Sequence, residues 1–154
     1  MESLVKNSPF VDVLLGTINE EVANYLDSSY ANEKPFITLF HYKEGLSGNA
    51  SSTDLIADVG LSFVQPRKSE VYEDIEFQKS EMMRLAKIFA ARMNLDAKLE
   101  HQLLYNSFDK SSVTVEPVEF EKPQILIGCV MTLELTLSID FTVKQPDWKD
   151  PIPC

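Results

Sequence analysis

Between residues 125 and 143 the apolar side chains take every odd position: Ile125, Ile127, Cys129, Met131, Leu133, Leu135, Leu137, Ile139, Phe141 and Val143. The even positions begin small or apolar at Leu126, Gly128 and Val130. They then turn polar through Thr132, Glu134, Thr136, Ser138, Asp140 and Thr142. A period of two over such a span predicts a β-strand, apolar on both faces at its start and two-faced afterwards. At roughly 3.3 Å per residue it would reach about 60 Å, well past the usual strand of about 5–6 residues. Either Gly128 or a bulge bends it, or it runs beyond its own domain and pairs with another chain.

The rest of the chain alternates between the two periods. Ser8-Pro9 reads as a helix start, with Ser8 as N-cap and Pro9 at the first helical position. Behind it Val11, Leu14, Leu15, Ile18, Val22, Tyr25 and Leu26 form one stripe, predicting a helix over residues 9–27. After Pro35, residues 36–42 predict a short strand, and residues 44–52, rich in Gly and Ser, predict a loop. Alternation returns with Leu55, Ala57, Val59, Leu61 and Phe63, a second strand closing a hairpin and ended by Pro66. Ile75, Met82, Leu85, Ala86, Phe89, Ala90 and Met93 predict a second helix over residues 70–94. Its acidic start at Glu70, Glu73, Asp74 and Glu76, against Lys87 and Arg92 later, suits the helix dipole. Asp96 is read as the cap of a short helical continuation through Tyr105. Val113, Val115, Val118 and Phe120 predict a third strand, with Pro117 placing it at a sheet edge or a bulge. The expected fold is α+β: two main helices packed on a mostly antiparallel sheet of about four strands, with a very long C-terminal strand. The domain expected is residues 1–143, followed by a Pro-rich arm, residues 144–154, where Pro146, Pro151 and Pro153 surround Trp148 and Ile152. An amphipathic Trp148 and an Ile152 on a stiff arm are candidate subunit contacts; a frayed end is the alternative.

Composition narrows the classes. The 154 residues suffice for one domain with a core, and no apolar run reaches the roughly 18 residues of a membrane span. The first residues lack a signal-peptide core, and two cysteines, Cys129 and Cys154, suit a reducing compartment. Fourteen Lys and Arg against 24 Asp and Glu give a net charge of −10, which disfavours a grip on phosphate backbones. That charge serves solubility, or else forms an acidic face that repels nucleic acid or attracts a basic partner.

Reactive constellations are not evident. His41 and His101 lack metal-ligand spacing, and the Glu100-His101 neighbours point different ways on a helix. The loop over residues 44–52 lacks the Gly-Lys-Ser/Thr ending of a phosphate cradle, and Asn49-Ala50-Ser51 is taken as a chance glycosylation match. No catalytic residue, cofactor or metal site is predicted, and the expectation is a structural protein, not an enzyme.

The order helix, hairpin, long helix, strand and long final strand resembles the head–tail connector and tail-terminator proteins of tailed bacteriophages. The resemblance rests on that order, on the alternation after Asp54, and on Gly128 opening a strand of Leu/Thr alternation. The Pro-rich, Cys-ended tail is similar to small virion proteins of phages of gut Bacteroidetes, including crAss-like phages. The resemblance implies a homo-oligomeric ring of six or twelve copies in the neck or tail, made in the host cytoplasm and built by strands joining sheets across subunits. Its neighbours would be portal, connector or tail proteins, and DNA would pass its lumen without specific binding. Thr132, Glu134, Thr136, Ser138 and Asp140 are then the candidate lumen face. A different class, the acidic type III secretion chaperones, has a comparable element order and implies a dimer through the second helix that wraps an extended protein partner.

Overall fold

The computed structural model describes residues 14–15, 35–49, 52–102, 104–120 and 125–139. Five strands and one long helix make up the described fold: β1 (Leu14–Leu15), β2 (Phe36–Asn49), β3 (Ser52–Pro66), α1 (Tyr72–Asp96), β4 (Thr114–Phe120) and β5 (Leu126–Ile139). They form an α+β arrangement, one sheet in the order β1-β2-β3-β5-β4, antiparallel except for the short parallel contact of β1 with β2.

The sheet is built on three strands of nearly equal length, β2 and β5 with 14 residues and β3 with 15. β3 pairs with β5 without interruption from Thr53–Ile139 to Pro66–Leu126. Gly128 therefore neither bends nor bulges the strand. Its role is steric, because a Cβ there would run into the backbone carbonyl of Phe63 and the Cα of Val64. The irregularity lies instead in β2, where the register with β3 shifts between Leu39 and His41. A single extra residue there exchanges the two faces of β2. Ile37 and Leu39 face the side of Phe63 and Leu61 before the shift; Tyr42, Glu44 and Leu46 face the side of Val59, Ala57 and Leu55 after it.

The loop expected over residues 44–52 is mostly strand: β2 continues to Asn49 and β3 begins at Ser52. Glycine disfavours strands on its own, but pairing with an alternating partner outweighs that local preference at Gly45 and Gly48. The final strand, expected over residues 125–143, is described from Leu126 to Ile139, and Phe141 and Val143 lie outside the described residues. The expected helix over residues 9–27 also falls mostly outside them. Its two described residues, Leu14 and Leu15, are in β1, where the backbone pairs with Ile37 and Thr38 instead of continuing a helical turn.

α1 follows the predicted stripe. Met82, Leu85, Ala86, Phe89 and Met93 are buried against Ile37, Val59, Leu61, Phe63, Cys129, Met131 and Leu133 of the sheet. Phe89 meets Phe63 edge-on, with ring centroids 5.5 Å apart. Ser69 Oγ accepts the Val71 amide at 3.0 Å just before the helix, and Glu73 and Asp74 occupy its first turn. Glu119 of β4 takes Arg67 at 3.5 Å and Lys79 at 3.9 Å, tying the edge strand to the start of the helix. At the far end Arg92 Nε stands 3.0 Å from the buried Asp96 carboxylate, an ion-pair approach without the alignment of a directed hydrogen bond. Asp96 thus ends α1 instead of capping a new helix, and residues 97–102 are turns held by bonds such as Asn106 N to Ala97 O at 3.0 Å. α1 is not apolar enough to cross a membrane, and no other described helix is.

Candidate functional site

The sheet outruns its helix. At about 1.5 Å per residue the 25 residues of α1 span about 37 Å, while 15 residues of β3 at about 3.3 Å span about 50 Å. The surplus is a three-stranded projection made of residues 45–49, 52–56 and 136–139. Along β2 residues 41–48 are all exposed.

The two faces of the projection differ. On the face that carries the core further back, Leu46 pairs with Leu55 and Leu55 with Leu137, one apolar row across three strands. Leu46 is 60% exposed, Leu137 37%, and Tyr42 on the same face 52%. The Tyr42 hydroxyl bonds to Glu44, and this contact raises the phenol above its usual pKa. The opposite face carries Ser47 and Asp54 with one apolar member, Ile56 beside Thr136, and runs back along the sheet to an acidic stretch. Asp58 lies directly across from Glu134, with Lys43 on its other side, and Thr132 shares a 2.6 Å hydroxyl contact with Thr114 of β4. Like charges in direct cross-strand register repel, and Lys43 offsets part of that cost. Thr132, Glu134 and Thr136 therefore share one face, as their alternation predicted. Ser138 occupies the matching register position opposite Asp54, and Asp140 lies outside the described residues. β3's contribution, Asp54 and Asp58, was written in the polar positions of its own alternation but needed the register to join it to Glu134.

The edges differ as well. β4 covers β5 from Leu126 to Thr132. Beyond it, residues 107–112 take over. Phe108 bridges Leu135, the Thr136 amide donates to Ser107 O at 2.8 Å, and Ser112 Oγ accepts the Glu134 amide at 2.9 Å. Asp109 holds this segment by accepting the Ser111 amide and hydroxyl, and those bonds lower its pKa. β5's length is thus largely paired on both sides, contrary to the expectation that it leaves unpaired backbone. The open backbone belongs to β2, where residues 42–48 pair only with β3 among the described residues. β4's outer edge is interrupted by the exposed Pro117, which has no amide hydrogen to offer.

Elsewhere, an open groove of about 660 Å³ runs between α1 and the β2–β3 end, lined by Pro35, Gln65, Lys68, Phe77, Gln78 and Leu85 among others. Gln78 Oε1 accepts the Lys68 amide at 3.4 Å, while its buried Nε2 has no partner. Arg84 and Glu81 on its rim neutralise each other at 2.9 Å. His41 is on β2 and His101 in the turn after α1, both exposed, and the chain brings neither to the other. Among the described residues no group of three or more His, Cys, Asp or Glu could hold a metal ion. Burial pushes the Cys129 thiol up to about 12, against a small opposing pull from Lys87, so it stays protonated in the core. Trp148 and Ile152 lie outside the described residues. No family model and no curated protein matches the chain.

Proposed function

We propose that this protein is a structural virion subunit that forms a ring in the neck or tail of a tailed phage, as a head–tail connector or tail terminator. The observation that carries the reading is the three-stranded projection, with an apolar row on one face and a mostly polar face on the other that runs back to Asp58 and Glu134. An exposed apolar row and an open strand edge on one long element are the means by which sheets join across subunits. Repetition of one such contact around an axis closes a ring of six or twelve copies. Facing inward, Asp58, Thr132, Glu134 and Thr136 would repel the phosphate backbone, so that DNA slides through without binding. The net charge of −10 supports this arrangement. Assembly takes place in the host cytoplasm, against portal, connector or tail proteins.

Imaging of the assembled protein tests the ring directly, six- or twelve-fold symmetry being the expected result. Glu134→Lys with Asp140→Lys should slow genome passage or ejection; unchanged infectivity would count against an acidic lumen. A second reading, a chaperone-like dimer through α1 that binds an extended partner, is favoured by one observation. α1 exposes Tyr72 at 71% near its start and Phe77 at 67% on the rim of the groove. A two-fold species that is abolished by Phe77→Asp would select it.

A further inference from the structure

α1 buries one apolar stripe and exposes another. Met82, Leu85, Phe89 and Met93 face the sheet, while Phe77, Ile88 and Leu95 are all exposed. These three are 11 and 7 residues apart, close to whole turns of a helix, so they form one line along its solvent side. Ala91, small and exposed, lies in the same line. Single apolar residues on a surface need no partner, but three large ones in line over about five turns are the pattern of a helix that packs against another.

Charge is divided along the same helix. Residues 72–83 hold four carboxylates, Glu73, Asp74, Glu76 and Glu81, against Lys79 alone. Residues 84–95 hold Arg84, Lys87 and Arg92 and no carboxylate. Asp96 offsets Arg92 at the end, and the exposed Lys98 follows. A helix that is acidic in one half and basic in the other repels an in-register parallel copy of itself and attracts an antiparallel one.

We propose that the solvent side of α1 is a contact between two copies of this chain, packed antiparallel about a two-fold axis, with Phe77 of each copy against Leu95 of the other. The same register sets Ile88 against the aliphatic stem of Arg84, Glu81 beside Arg92, and Glu73 beside Lys98. Among the described residues Glu73 and Lys98 have no ion pair within their own copy, and the second copy supplies one to each. Arg84, nearest the axis, is neutralised by Glu81 at 2.9 Å, which limits repulsion from its symmetry mate. Lys87 is off the line, turned toward Val113 and Val115. Tyr72, the most exposed side chain of the helix, is also off the line and takes no part. The two-fold makes every contact twice. This goes beyond the ring and gives a register to the α1 pairing of the second reading, on which it rests; no extended partner is required.

Cysteine pairing on the full chain, in a Cys154→Ser background, tests the register. Phe77→Cys and Leu95→Cys chains mixed under mild oxidation should link to each other, and neither should link to itself, because like residues lie far apart across the axis. Cys129, buried and protonated, does not compete. Links between like chains, or no link at all, would overturn the proposal. In equilibrium sedimentation Leu95→Asp, at a half-exposed site, should weaken the pair by roughly thirtyfold or more with its circular dichroism unchanged, and Tyr72→Asp should leave the pair intact. Glu73→Lys and Lys98→Glu should each weaken it by about tenfold, and the double variant should restore it. A two-fold species lost with Phe77→Asp but indifferent to Leu95→Asp would keep the second reading and overturn this register. A six- or twelve-fold ring indifferent to Leu95→Asp, with no two-fold species, would uphold the ring and overturn the contact.

Discussion

Gly128 and Cys129 stand side by side in the middle of the sheet, and each shows what the strand tolerates. At Gly128 the limit is backbone, because Phe63 and Val64 occupy the space of a Cβ and no rotamer can relieve the clash. Gly128→Ala should lower stability by about 2–3 kcal/mol, seen as a shifted denaturant midpoint with an unchanged slope. At Cys129 the limit is charge. The folded-state pKa is raised from 9.0 to about 12, so the folded protein keeps its proton while the unfolded chain loses it. The contribution is complete below pH 9 and is lost as pH rises from 9 toward 12. Between those values the wild type should lose stability faster than Cys129→Ala, by at most about 1.4 kcal/mol per pH unit, the cost of one proton. Below pH 9 the two should differ by a constant. Asp109 has the opposite sign. Its lowered carboxyl supports the Lys110–Ser112 turn above the usual carboxylate range, and acidification through its folded pKa should loosen that turn. Amide exchange at Ser111 and Glu134 would report the loosening.

Among the elements, α1 and β3 were legible in the sequence because each pattern coincides with a single burying partner. The stripe from Met82 to Met93 and the alternation from Leu55 to Phe63 meet in one core. Phe89→Ala removes the ring that sits edge-on to Phe63 and should cost about 3–5 kcal/mol, measured by thermal or denaturant unfolding. Pro117 likewise announced an edge strand, since an interior strand cannot lack an amide hydrogen there. The rest depended on distant pairing that local pattern does not encode. Residues 44–49 look like a loop until β3 is placed beside them, and Leu14–Leu15 look helical until β2 is. The insertion of β5 between β3 and β4 is a matter of which edge was free, which no alternation records. For the candidate site, the polar face of β5 was readable, whereas its union with Asp58 and the apolar row on the reverse side required the register.

For the whole molecule the decisive asymmetry is that, among the described residues, one end of the sheet is covered by helix, turn and Pro117, and the other is bare. The bulge between Leu39 and His41 gives that bare end its character. It works as a parity setting, with all that follows in β2 assigned to one side or the other by a single residue. Removing Phe40 would take out the extra residue and leave His41 opposite Gly60, Tyr42 opposite Val59 and Leu46 opposite Leu55, so both faces would be kept. Amide exchange in residues 52–56 is therefore expected to stay protected in the deletion variant, and association through the apolar row should survive with it. A residue inserted between His41 and Tyr42, with the bulge unchanged, would instead place Tyr42 opposite Asp58 and Leu46 opposite Asp54, and the same association should be lost. The count of residues far from the tip would then decide which face a partner meets.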